Sequence, residues 1–263
     1  MAELAIPFIL SVVVAYIGFK LRSLTTSGAI ATVGVGIAVS VGFGYLGLGL
    51  LGAFFASSSL WSKFKSESKS NLLNKVEKGE QRDHVQVLAN GSVPAFTSIL
   101  YVLFPSDIWF YAFIASIAAA NSDTWASELG SLSRSKPFLI SNFKRVDPGT
   151  SGAVSLLGTF AGLAGSLFIC VLAVLFWFDI PILLIVLLIV VGFLGNVIDT
   201  VLGVSIQVSY TCSVCKLETE KLNHCQLRTN YYKGIRFFNN DLVNLLSILF
   251  AAILGGVLPL LIQ

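Results

Sequence analysis

The sequence predicts an all-α fold, a polytopic transmembrane bundle of about eight spans with both termini outside, on three observations. First, 55 % of the 263 residues are hydrophobic and only 12 % are charged. That is half the roughly 25 % charged residues of a soluble domain. Second, the stretches 4–19, 24–62, 85–106, 108–122, 148–178 and 180–198 carry no Lys or Arg and almost no acid. A spanning helix needs roughly 20 apolar residues, about 17 at the short end. Third, the basic residues are confined to alternate connections, as insertion rules require.

Taken in order, the first segment is a span and not a secretory signal. Its leading MAE has an acid and no base, no A-x-A site follows, and Lys20 and Arg22 come after the apolar run. The run 24–62 has the length of two short helices, and GFGYLG (42–47) supplies the turn. The spans are then 4–19, 27–42, 45–61, 85–104, 108–126, 152–177, 181–206 and 240–262. With this division the first, third, fifth and seventh connections hold all 17 Lys and Arg. The opposite side holds only Glu3, Asp107 and Asp179. Lys/Arg-rich loops stay cytoplasmic, so the chain reads as one integral membrane domain, 1–263, with cytosolic loops near 62–84, 127–150 and 207–239. The last of these is expected to form a small Cys/His-rich element. Trp61, Trp109, Trp125 and Trp177 all fall near span ends, as an interfacial belt does. A multi-pass cell-membrane protein follows. The net charge of +3 gives no argument for nucleic acid, because the bases set orientation; their concentration on one face suits anionic headgroups or phosphates.

Several motifs exclude more than they suggest. GFGYLG (42–47) and GLGLLG (47–52) match G-x-G-x-x-G, but neither follows a strand, so helix packing or the turn explains them. GTFAG (158–162) reads as a small-residue helix contact. P-loop, Gly-x-Ser-x-Gly and H-E-x-x-H patterns are absent from the sequence. Cys212, Cys215, His224 and Cys225 form CSVC-x8-HC, whose composition suits a small zinc site. Adjacent His224 and Cys225 seldom both reach one metal, so reduced structural thiols are the alternative. Cys170 reads as core and His84 as interfacial.

Polar groups at the cytosolic ends of spans carry the functional information, because ionisable residues at membrane depth are costly and face a cavity or a partner. Asp83, Gln86 and Asn90 share one helix face. So do Asn196 and Asp199, and so do Asn240, Asp241 and Asn244. The fourth cluster is NSDTWASELGS (121–131). Its Asp123 and Glu128 are five residues apart, about 140° around a helix, so they cannot ligate one ion from a regular helix. Either the helix breaks near Trp125 or each carboxylate meets a partner from another span, with Asp199 or Asp83 as candidates. Helix capping explains any one cluster, but four at one depth argue for a site. Between them, KRVDPGTSGAVS (144–155) places Lys144 and Arg145 before a Pro-Gly turn. Thr150 and Ser151 are then expected to open a long helix whose free N–H groups favour an anion.

Carboxylates and amides suit Mg²⁺, and Lys, Arg and a glycine turn suit phosphates. No His or Cys is placed as a nucleophile. Phosphoryl transfer onto an existing phosphate needs none, since positioning and charge neutralisation do the catalysis.

KGEQRDHVQVLANGSVPA, ANSDTWASELG, KRVDPGTSGAVSLLG and the late NVIDTVLGVSIQ…CxxC…HC…NNDLVN resemble the membrane family that includes phytyl-phosphate kinase, along nearly the whole chain. The resemblance implies an isoprenyl-monophosphate kinase that makes the diphosphate from a nucleoside triphosphate. A more distant similarity to polyprenol kinases and phosphatidate cytidylyltransferases implies CTP as a donor. It also implies Asp123 at the metal, and Lys144, Arg145, Gly149, Thr150 and Ser151 at phosphate. The expected site then has Asp123, Glu128, Lys144 and Asp83 in catalysis. Asp123, Glu128, Asp199 and Asp241 would hold Mg²⁺. Lys144, Arg145, Gly149, Thr150, Ser151, Gly152, Arg82, Asn90, Asn240 and Asn244 would contact the isoprenyl phosphate lipid and the CTP or other NTP. Cytidylyl transfer to a lipid phosphate and a transporter or lipid-binding protein are the competing readings.

Overall fold

The computed structural model describes residues 2–64 and 81–262. Lys65, Lys69, Lys75 and Lys78 of the 62–84 connection lie outside the described residues. The helices are α1 (Ala2–Lys20), α2 (Thr26–Lys63), α3 (His84–Leu103), α4 (Asp107–Gly130), α5 (Leu156–Phe176), α6 (Ile182–Ser205) and α7 (Asn240–Ile262). Five of the described helices (α2, α3, α5, α6 and α7) are long and apolar enough to cross a membrane, and Ile6–Lys20 is a shorter apolar one.

The expected pair 27–42 and 45–61 is a single helical element of 38 residues that breaks at Gly44 (φ 58, ψ −144). A side chain at that φ would be strained, so the second glycine of GFGYLG is the turn. A Cβ on Gly36 would meet Leu48 at 3.4 Å, and one on Gly47 would meet Val39 at 3.2 Å. In a straight helix, residues 36 and 48 would stand about 18 Å apart. The two limbs therefore fold back on one another, and the described residues form eight helical limbs. Among the described residues, those of the connections that carry Lys or Arg gather at one end of the bundle. α1 ends and α7 begins at this basic end, so α1 begins and α7 ends at the other.

α4 is the hub, packing against α2, α3, α5, α6 and α7. Its residues 111–122 are all buried, although three acids keep its composition less apolar than its neighbours'. Small side chains make this possible. Gly158, Gly162 and Gly165 of α5 face it so closely that a Cβ at Gly162 would lie 3.2 Å from Ala126 Cβ. Asn121 Nδ2 donates to Gly165 O at 2.8 Å and Ser122 Oγ to Gly162 O at 2.8 Å. The small-residue contact expected at 158–162 is thus an α4–α5 seam, stitched by two side chains of the 121–131 cluster. Cys170 is fully buried in the core. Trp125 packs inside the bundle, stacked on Phe168 with its Nε1 donating to Ser57.

Short strands add a β component at the basic end. β1 (Phe138–Leu139) pairs with β2 (Ala153–Val154). Between residues 207 and 239, β3 (Ser209–Thr211) runs between β4 (Glu218–Thr219) and β7 (Asn230–Lys233). β5 (Asn223–His224) pairs with β6 (Leu227–Arg228) as a hairpin.

Candidate active site

The polar ends of the helices enclose a cavity of about 430 Å³ at the basic end, within the usual range of roughly 300–1,000 Å³ for ligand sites. α4 contributes Asp123 and Glu128, α3 contributes Gln86 and Asn90, and α6 contributes Asn196 and Asp199. α7 adds Asn240, Asp241 and Asn244, while Arg82 and the segment Pro148–Ser155 close the rim. Four polar clusters far apart in sequence thus face one space.

The local structure explains why each group points there. Asn121 and Ser122 are fixed to α5, and the next residue of α4, Asp123, lines the cavity. Asp199 of α6 lines it too, and its Oδ2 accepts from Ser247 Oγ of α7 at 3.3 Å. Glu128, on another face of α4, accepts from Ser62 Oγ of α2 at 2.6 Å. The helix does not break at Trp125; instead the two carboxylates serve different neighbours. Arg82 Nη1 donates to Ser59 Oγ at 3.2 Å. Burial draws its guanidinium below the ordinary range, and the charge of Glu128 opposes that shift.

Three expected residues stand elsewhere. Asp83 is the N-cap of α3, accepting from Gln86 N at 2.9 Å in a reciprocal capping box, and it does not line the cavity. Lys144 and Arg145 are exposed and also outside the lining. Arg145 donates to Lys136 O at 2.7 Å and lies 4.3 Å over the Phe138 ring. The expected helix start at Thr150 and Ser151 is corrected too. α5 begins at Leu156, capped by Ser155 Oγ accepting from Gly158 N at 3.1 Å. Strand β2 intervenes, and Gly149 (φ 79) and Gly152 (φ 82) make the turn. Gly149, Thr150, Ser151 and Gly152 still line the cavity, through a loop in place of a helix end.

Two residues escaped the sequence reading. Glu220, from the 207–239 element, lines the cavity and accepts from Gln207 Nε2 at 2.7 Å and from Ser151 Oγ at 3.4 Å. Neither it nor Gln207, which is buried just after α6, has a signal in the sequence, because polar residues are ordinary in a long loop between spans.

The family pattern described as integral membrane protein DUF92 matches residues 9–252. The chain belongs to this family. It is 31 % identical to Protein PGR of Arabidopsis thaliana over 95 % of this chain and 93 % of that protein. It is 33 % identical to an uncharacterized membrane protein of Methanocaldococcus jannaschii, covering 92 % and 87 %. Protein VTE6, chloroplastic, of Arabidopsis thaliana is 27 % identical over 82 % of this chain and 58 % of that protein. No solved structure matches. Membership and the apolar helices together make this DUF92 chain a multi-pass membrane protein.

The charge of the cavity is its main chemical fact. Asp123, Glu128, Asp199, Glu220 and Asp241 line it, and among the described residues Arg82 is the single Lys or Arg that does. Such a lining repels free phosphate and attracts cations. Yet no three of these carboxylates gather tightly: among the described residues, the Cys/His group alone brings three or more potential ligands within 4.8 Å.

A narrow apolar crevice of about 80 Å³ adjoins the cavity. Val14, Val35, Leu48, Leu51 and Phe54 line it, and it shares Arg82, Gln86, Asn90 and Thr124 with the polar space.

Proposed function

We propose that this protein is a nucleotide-dependent kinase that phosphorylates an isoprenyl monophosphate to the diphosphate at the cytosolic membrane face. One observation carries the reading: a polar, acid-lined cavity at the basic end adjoins an apolar crevice between α1, the α2 hairpin and α3, and shares Arg82, Gln86, Asn90 and Thr124 with it. That pairing suits an amphipathic acceptor with its phosphate beside Arg82 and Asn90 and its tail toward lipid. The basic end is cytosolic by the positive-inside rule, which makes eight spans and puts both termini outside.

The donor set fits Mg²⁺, a cation that takes oxygen ligands and shares its coordination with substrate phosphates. Asp123, Asp199 and Asp241, which line the same cavity, would hold it. Mg²⁺ bound there offsets the negative charge of nucleotide and acceptor. The protein's own groups then orient the acceptor. An ionised phosphate oxygen attacks the γ-phosphorus, the bond to the β-phosphate oxygen breaks, and the nucleoside diphosphate leaves. No general base is required. The left-handed Gly149 and Gly152 turn lines the cavity beside Ser151, and turns of this kind suit phosphate oxygens. CTP is the donor implied by the more distant family resemblance.

A cation-translocating protein is the second reading, favoured by the excess of carboxylates over guanidinium in the cavity. Against it, the polar groups collect at one end, not at the midplane where transporter sites lie.

The test is turnover by purified protein with Mg²⁺, isoprenyl monophosphates of graded length, and CTP or ATP labelled at the γ- or α-phosphate. Label transferred from the γ-position into lipid diphosphate supports the kinase. Transfer from the α-position means cytidylyl transfer, and no transfer with any acceptor overturns the proposal.

A further inference from the structure

Outside the cavity, four ligating side chains converge that the proposed reaction does not use. The Sγ atoms of Cys212, Cys215 and Cys225 and a ring nitrogen of His224 all lie within 4.8 Å of one another. His224 Nδ1 is 3.5 Å from Cys215 Sγ and 3.2 Å from Cys225 Sγ. Around a tetrahedral zinc with the usual Zn–S and Zn–N bond lengths, neighbouring ligand atoms stand about 3.5–3.8 Å apart. The observed spacing needs only small adjustments to reach that shell.

The backbone is bent to achieve this. Lys216 (φ 60), Cys225 (φ 50) and Gln226 (φ 61) all adopt the left-handed conformation, which costs a non-glycine residue on the order of 1–2 kcal/mol. Lys216 N returns to Cys212 O at 3.0 Å and Cys212 N to Leu217 O at 3.0 Å, closing a tight knuckle around the first two thiols. The left-handed turn at Cys225 lets adjacent residues point at one centre, which removes the geometric objection to His224 and Cys225 as joint ligands. Cys225 and Gln226 are the two-residue loop of the β5–β6 hairpin, whose turn takes φ > 0 at both positions. The strands here are two to four residues long, and small elements with so little core are commonly stapled by a metal.

We propose that Cys212, Cys215, His224 and Cys225 bind one structural Zn²⁺, which clamps the 207–239 element over the cavity and holds Glu220 at its rim. Glu220 lies between the second and third ligands in sequence, and its bonds to Gln207 and Ser151 join the clamped element to the cavity wall. Zn²⁺ is the fitting ion because three thiolates and one imidazole form a closed set with no open position. The site is independent of the kinase reading, since its readouts are metal content and folding of the loop.

The experiment uses the full chain purified in detergent without chelator. Elemental analysis is expected to give about one zinc per chain. Replacement by Co²⁺ is expected to give the visible absorption of a tetrahedral thiolate site. Cys215→Ser and, separately, Cys225→Ser should cut zinc affinity at least tenfold, while Cys170→Ser in the core of α5 should leave it unchanged. Chelation should expose Lys216, Lys221 and Arg228 to trypsin at least tenfold faster than in the zinc-loaded protein. A chain that holds no zinc and takes up neither Zn²⁺ nor Co²⁺ would overturn the site, as would a stable iron centre or a Cys215–Cys225 disulfide in its place. Unchanged trypsin cleavage after zinc removal would overturn the clamp.

Discussion

Two stretches stand out in the sequence as polar, and the fold treats them differently. In 121–131 the cluster works inside the bundle: Asn121 and Ser122 tie α4 to α5, Asp123 lines the cavity with Asp199, and Glu128 meets Ser62. In 144–152 the basic pair points away from the cavity, and only the glycine turn lines it. The difference follows from the solvent. A carboxylate at membrane depth is too costly to keep without a partner or a function, whereas a Lys or Arg in a water-facing loop costs nothing and already serves orientation. Charge is diagnostic where it is expensive.

That contrast can be broken or sharpened by substitution. The largest effect is expected from Asp123→Asn, which keeps the shape and removes the charge: diphosphate formation should fall by about 10²–10³, with thermal unfolding in detergent little changed. A variant that unfolds instead would make Asp123 a structural residue. Gly162→Val tests the seam that aims Asp123, since its new side chain would meet Asn196 Nδ2 at 2.7 Å from the Cβ alone. Overpacking there should destabilise the bundle by about 1–3 kcal/mol, seen as a lower midpoint in thermal melts. The smallest effects belong to the basic pair. Arg145→Ala loses the stacking on Phe138 and should cost about 0.5–1 kcal/mol of stability. For Lys144→Ala and Arg145→Ala alike, turnover should stay within about twofold. A large loss of nucleotide affinity in either variant would return them to the site.

Much of the fold was legible because the bilayer imposes strict rules. The apolar runs located the helices, the alternation of basic connections divided 24–62 into two limbs, and Gly44 fell inside the expected turn. Asp123, Asp199, Asp241, Asn90, Asn240 and Asn244 were readable as cavity residues because each sits at the polar end of an apolar helix. Asp83 caps α3 and does not line the cavity; an N-cap and a site acid look alike in sequence, and only the reciprocal bond with Gln86 separates them. Glu220 and Gln207 could not be found, since the pairing of β3 with β4 and β7 that carries them to the cavity is a long-range event in a polar loop. The start of α5 was placed too early because Thr150 and Ser151 are good caps, yet pairing of β2 with β1 holds the chain extended until Ser155.

The proposed site requires that the carboxylates converging on the cavity take a divalent cation together with nucleotide, whatever the basic turn does. Mn²⁺ is a spin-active stand-in for Mg²⁺, and its binding to the purified protein can be followed by electron paramagnetic resonance with and without CTP. The wild-type chain is expected to bind Mn²⁺ more tightly when CTP is present. Asp123→Asn should lose that gain, and the Lys144→Ala, Arg145→Ala double variant should keep it. Equal Mn²⁺ binding in wild type and Asp123→Asn, or binding indifferent to nucleotide, would rule this cation site out.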